Sequence, residues 1–112
     1  MIDLLMKNYL ENKLNITVLL EKPNNPIDKY IVIDRTGSGE TNHLPEATVA
    51  FQSYANTKYE AALLNESIKE AIKSSVDEMH EVRGITLNSD YPFTDTQSKQ
   101  YRYQAVYDIR YY

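Results

Sequence analysis

The chain ends Tyr101-Arg102-Tyr103-Gln104-Ala105-Val106-Tyr107-Asp108-Ile109-Arg110-Tyr111-Tyr112, and the reading of this stretch decides the fold. Tyr101, Tyr103, Ala105, Tyr107, Ile109 and Tyr111 alternate with Arg102, Gln104, Asp108 and Arg110. A repeat of two places successive side chains on opposite faces, so the run is a β-strand with one aromatic face. Such a face needs neighbouring strands and a layer to cover it.

The covering layer is legible upstream. Ala61, Leu64, Ile68, Ile72, Ser75, Val76 and Met79 recur every three or four residues, the signature of a helix of about twenty residues packed on one side. Thr57 and Glu60 stand as a capping-box pair at its start. Lys69, Lys73, Glu66 and Glu70 sit mainly on the opposite side. A shorter amphipathic helix is expected at the beginning of the chain, from Ile2, Leu5, Met6, Tyr9 and Leu10, ending at Asn15.

Ile16-Thr17-Val18-Leu19-Leu20 reads as a strand, stopped by Pro23-Asn24-Asn25-Pro26. Tyr30-Ile31-Val32-Ile33 reads as a second strand, apolar on both sides and paired with the first as a hairpin. Arg35 to His43 is polar and glycine-rich, which predicts a projecting loop. Ala47, Val49, Phe51 and Ala55 then mark a third strand with one buried face. Ile85, Leu87 and Tyr91 mark a fourth after Gly84, followed by a polar loop from Pro92 to Ser98. The expected order is α-β-β-β-α-β-β in one α+β domain spanning residues 1–112, with a mostly antiparallel sheet.

Composition narrows the function. At 112 residues, 42% hydrophobic and 25% charged, the chain has the balance of a globular protein rather than a disordered one. It has no cysteine, which removes disulfide scaffolds, thiolate zinc sites and cysteine nucleophiles together. A net charge of −4 without a basic cluster leaves nothing to neutralise a nucleic-acid backbone. There is no apolar run of membrane-spanning length and no secretory signal, so an intracellular protein is expected. The Asn-x-Ser/Thr triplets at Asn15 and Asn65 then carry no glycosylation message. Ten tyrosines against two phenylalanines and no tryptophan leave two readings open: strand formers, or an interface that is wet in one state and buried in another.

No constellation carries a catalytic signature. His43 and His80 fall in separate turns, without the spacing of a zinc pair. Ser38 and His43 share a loop that cannot preorganise a nucleophile and its base. Gly37-Ser38-Gly39 leads towards a strand rather than a helix, and Glu40 would repel phosphate. Neither an enzyme activity nor a cofactor is expected. The best alternative on catalytic lines is a small hydrolase or phosphate binder using Ser38 and His43.

Ile31-Val32-Ile33-Asp34-Arg35-Thr36-Gly37-Ser38-Gly39, then Glu46-Ala47-Thr48-Val49-Ala50-Phe51-Gln52-Ser53-Tyr54-Ala55, then a helix bearing Tyr59-Glu60-Ala61, together resemble the tail terminator (tail-to-head joining) proteins of long-tailed bacteriophages. The resemblance covers nearly the whole chain. It departs where Gly37-Ser38-Gly39-Glu40 replaces a double glycine often seen after the threonine. It implies a structural virion protein that forms a homo-oligomeric ring, hexameric in the family's manner, at the head-proximal end of the tail tube. Such a ring ends tube polymerisation, meets the tail tube protein and the head connector or stopper protein, and passes DNA through its lumen without specific binding. A head-completion or stopper protein is the nearest alternative.

On this resemblance, Arg35, Thr36, Gly37, Ser38, Gly39, Glu40, Thr41, Asn42 and His43 are the candidate contacts with the tube or a neighbouring subunit. Tyr111 and Tyr112 are the candidates at the chain end, whereas Tyr101, Tyr103 and Tyr107 are expected to face the core.

Overall fold

The computed structural model describes residues 2–25, 27–41, 44–95 and 100–112. The elements are α1 (Ile2–Leu14), β1 (Val18–Leu19), β2 (Tyr30–Thr41), β3 (Leu44–Ala55), α2 (Lys58–Glu78), β4 (Val82–Asp95) and β5 (Gln100–Tyr111). The fold is α+β, with the five strands in the order β1-β2-β3-β5-β4. All neighbouring strands are antiparallel except β1 and β2.

α1 buries Ile2, Met6 and Leu10. It ends where Asn15 adopts φ 52° and donates its backbone N–H to Glu11 O at 2.9 Å. Asparagine tolerates this left-handed conformation better than most residues. α2 starts with the Thr57 side chain accepting from Glu60 N at 3.1 Å. A cap of this kind contributes about 1 kcal/mol, whereas each large aliphatic side chain taken from water contributes roughly 1.5–3 kcal/mol. Burial of Leu64, Ile68 and Ile72 therefore holds the helix in place more than its cap does. Asn65 and Ala71 join the buried stripe, while Val76 is 37% exposed rather than packed.

Both helices cover one face of the sheet. Ile2, Met6 and Leu10 of α1 share a core with Leu64, Ile68 and Ile72 of α2, Ile31 and Ile33 of β2, Val49 and Phe51 of β3, and Ala105, Tyr107 and Ile109 of β5. Phe51 and Tyr107 meet edge to face. α1 is tied to α2 by Tyr9, whose hydroxyl lies 2.9 Å from Ala71 O and 3.0 Å from Glu78 Oε2, and by Lys13 Nζ, 2.6 Å from Glu78 Oε1. At the other side of the helical layer, Asp90 of β4 accepts from Asn65 Nδ2 at 2.8 Å and from Lys69 Nζ.

Three expectations are corrected. β1 pairs with β2 in parallel, Val18 with Ile31 and Leu19 with Val32, so the two are not a hairpin. The connection crosses the opposite sheet face instead, where Ile27 and Leu19 pack on Tyr30, Val32 and Tyr54. The predicted loop from Arg35 is strand as far as Thr41, because β2 and β3 form one long hairpin with a bulge between Arg35 and Gly37. Likewise β4 runs on through Pro92 to Asp95, where a loop was expected; Thr96 to Ser98 of that expectation lie outside the described residues. In both cases cross-strand pairing supplies what local propensity does not. Asn42, His43 and Pro26 also lie outside the described residues.

Candidate assembly surfaces

Register along the sheet brings the two sets of proposed contact residues to one end. Gly39 faces Glu46, Glu46 faces Arg110, and Arg110 faces Gly84. The β2 segment from Arg35 to Thr41 is therefore level with the last residues of the chain, two strand spacings or about 10 Å away. Arg35, Thr36, Ser38, Gly39 and Glu40 are exposed. Neither Gly37 nor Gly39 has a positive φ, and neither is crowded at the Cβ position.

The chain end divides. Tyr111 packs against the core, whereas Tyr112 is 64% exposed, with the Arg83 guanidinium 4.7 Å from its ring centre. Tyr112 N also donates to Glu81 O at 3.0 Å, so β5 is anchored to the start of β4. Of the three tyrosines expected in the core, only Tyr107 is buried. Tyr103 is half-buried and Tyr101 is 39% exposed. Tyr101 lies opposite Ala55, at the end of the sheet where α2 begins and before its buried stripe. Burial pushes the Tyr107 hydroxyl above its usual pKa.

The sheet face without helices carries a network that the sequence reading missed. Thr48 Oγ1 donates to Asp108 Oδ1 at 2.7 Å, and Asn88 Nδ2 donates to the other oxygen of that carboxylate at 3.2 Å. Gln52 Nε2 donates to Gln104 Oε1 at 2.9 Å, and Gln104 in turn donates to the Tyr91 hydroxyl. Arg102 Nη1 donates to Tyr54 Oη at 2.7 Å, and Arg110 Nη1 lies 3.7 Å from Glu46 Oε2. Tyr54 also stacks on Tyr30, with ring centres 4.7 Å apart. The available signal is the even-numbered set of the terminal strand, Arg102, Gln104, Asp108 and Arg110, which alternates with its aromatic face.

These bonds run across β3, β5 and β4 and pair the arginines of the face within the sheet. The surface they make is polar, with Arg102 held by Tyr54 and Arg110 beside Glu46.

Elsewhere the chemistry is sparse. Ser38 lies opposite Ala47 in the hairpin, and His43 falls outside the described residues. The His80 side chain is 92% exposed beside Glu81. Among the described residues, no group of three or more His, Asp or Glu could hold a metal ion, and no helix is long and apolar enough to cross a membrane. An open groove of about 630 Å³ between α1 and α2 is lined by both Lys13 and Lys29 and by Glu66 and Glu70, with Leu14 and Leu63.

No family model matches the chain, and no curated protein matches it. Among solved structures, the chain is similar in fold to a chain of the virion of a native gene transfer agent (GTA) particle. The TM-score is 0.51 at 12% sequence identity, covering 91% of this chain and 83% of that one.

Proposed function

We propose that this chain is a non-enzymatic structural protein of a phage-like virion, and that it closes the head-proximal end of a tail tube as a ring. The observation that carries the reading is the fold shared over nearly its whole length with a virion chain of a gene transfer agent particle. The resemblance of its own motifs to tail terminators narrows that to the tail end. Its partners are then further copies of itself, six in the family's manner, the tail tube protein, and the connector or stopper on the head side.

The division of the surface suits this role. A ring of identical subunits needs two different contact patches on each copy, and the hairpin segment Arg35–Thr41 with Tyr112 offers one of them at a single end of the sheet. The hydrogen-bonded face around Asp108 and Gln104 is the surface proposed to line the lumen. Glu46 beside Arg110 and the carboxylate of Asp108 offset the positive charge of this face, so DNA would slide past without being held. A head-completion or stopper protein is the second reading, because the likeness is to a virion chain and not to a tail component by name.

Light scattering behind size exclusion, with negative-stain images, tests the ring directly. A closed six-fold particle, or binding of the monomer to the ends of purified tail tubes, is the expected result. A chain that stays monomeric and ignores tube ends would refute the proposal. Gene deletion separates the two readings: overlong tails mark a terminator, leaking heads a stopper.

A further inference from the structure

Both outer strands of the sheet have long unpaired edges. β1 covers β2 only at Ile31 and Val32, so β2 has no partner strand on its outer side from Ile33 to Thr41 among the described residues. β4 is the last strand on the other side, with no partner strand beyond it from Val82 to Asp95 among the described residues. Unpaired edges invite addition of another strand, and proteins blunt them with bulges and prolines unless the edge has a use. Each edge here is bulged, β2 between Arg35 and Gly37, β4 between Val82 and Gly84 and again between Leu87 and Ser89, and β4 carries Pro92.

The Arg35–Gly37 bulge of β2 and the Leu87–Ser89 bulge of β4 are matched in height. Arg35 is level with Val49, Val49 with Tyr107, and Tyr107 with Leu87, so both interruptions flank the same row of the sheet. The strand directions also agree. β2 and β4 run antiparallel to each other, so joining β4 of one copy to β2 of the next continues the antiparallel alternation of the central strands. In that join Leu87 lies beside Arg35 of the neighbour, Thr86 beside Gly37, and Arg83 close to Glu40, a pairing of opposite charges. Leu87, 47% exposed on its own copy, would gain cover.

We propose that the copies associate by this edge-to-edge join, β4 of one adding antiparallel to the Ile33–Thr41 edge of the next. The proposal rests on the ring reading above and says how the ring is held. It makes the sheet continuous around the particle, with the helices on one side and the hydrogen-bonded polar face on the other. A join of this kind draws its strength from backbone hydrogen bonds, with side chains setting the register.

The cysteine-free sequence allows a direct test. Within one copy the β2 and β4 edges are three strand spacings apart, about 14 Å, and a disulfide needs Cα atoms within about 7 Å. A double variant can therefore cross-link only between copies. Gly37→Cys/Thr86→Cys probes the open face, Arg35→Cys/Leu87→Cys the helix-bearing face, and Gly39→Cys/Thr86→Cys a join slipped by two residues. Each is oxidised under the conditions that give rings, alone or on tail-tube ends, after circular dichroism shows a native spectrum.

The expected result is a ladder of covalent oligomers on a non-reducing gel for at least one pair, ending at the subunit number of the ring. Single-cysteine variants should show no ladder. Rings that assemble while none of the folded pairs cross-links would overturn the edge join and leave the ring reading standing. If neither rings nor tube-end particles form with the unaltered chain, both fall together.

Discussion

The Cβ that Gly84 lacks would stand 2.7 Å from Nη2 of Arg110, far inside contact distance. The bare backbone of β4 thus lets a β5 side chain lie across it and reach towards Glu46 on β3. Gly84 has no positive φ, so the requirement is one of space and not of conformation. Gly84→Ala should cost about 1 kcal/mol, because the long arginine can swing aside rather than clash fully. In an Arg110→Ala background the same change should stabilise by about 0.4–1 kcal/mol through the unfolded chain. Urea titration of the four variants checks this, and simple additivity of the two changes would show that the contact has no energetic consequence.

Asp90 is the sheet's handle on α2. Asn65 is 2% exposed, its Nδ2 is held by Asp90, and its Oδ1 has no hydrogen-bond partner. Asp90→Ala should strand the buried amide altogether and cost about 1–3 kcal/mol. Asp90→Asn keeps an acceptor for Asn65 but loses the charge facing Lys69, whose pKa the Asp90 and Glu66 hydrogen bonds raise. It should fall between wild type and alanine in chemical denaturation.

Ser53 makes the opposite case. It is fully buried and its hydroxyl has no hydrogen-bond partner. Ser53→Ala removes an unpaired polar atom and should leave stability unchanged or raise it by up to about 1 kcal/mol. A loss in thermal denaturation would mean that the hydroxyl is bonded in solution.

The α1–α2 contact should be sensitive to pH at both ends of the scale. Burial, then the hydrogen bond to Glu78, raises the Tyr9 hydroxyl from 10.0 to about 12. A folded value above the unfolded one gives stability that is complete below pH 10 and is lost as pH rises through about 12. The Lys13 hydrogen bond, and after it that of Tyr9, lowers Glu78, and the Lys7 hydrogen bond lowers Glu11. Their contributions are present above 4.5 and fade as pH falls below it. Glu78→Gln should move the Tyr9 titration back towards 10 in NMR of labelled tyrosine, and an unmoved titration would leave burial as its sole cause.

Periodicity carried most of the architecture. The terminal strand and α2 were legible because each has one buried face repeating over several turns or pleats, and Thr57 announced where the helix begins. What stayed hidden depends on partners distant in sequence. Apart from its two threonines, Arg35–Thr41 has no good strand former, and it is strand because Leu44–Val49 lies beside it. The parallel pairing of β1 likewise follows from Ile27 settling on Tyr30 and Tyr54, a contact with no local signature. For the assembly surfaces, the family resemblance suggested Arg35 to His43, with Tyr111 and Tyr112, but only the register reveals that the described part of that segment and the end of β5 share an end of the sheet. The unpaired edges were invisible, since strand order is a property of the whole sheet.

That strand order also bears on how the protein is made. The two long hairpins, β2–β3 and β4–β5, can each form from neighbouring stretches of chain, yet neither contains the centre of the sheet. The centre is the β3–β5 seam, where Phe51 meets Ala105 across all of α2 and β4. Closing so distant a contact forfeits much chain freedom before any burial rewards it. A growing chain therefore holds an unfinished sheet until β5 emerges, because Tyr107 and Ile109 of that strand complete the core. A truncation that removed only β5 would take away the strand paired with both β3 and β4, so that β4 would keep its packing on α2 but lose its partner strand.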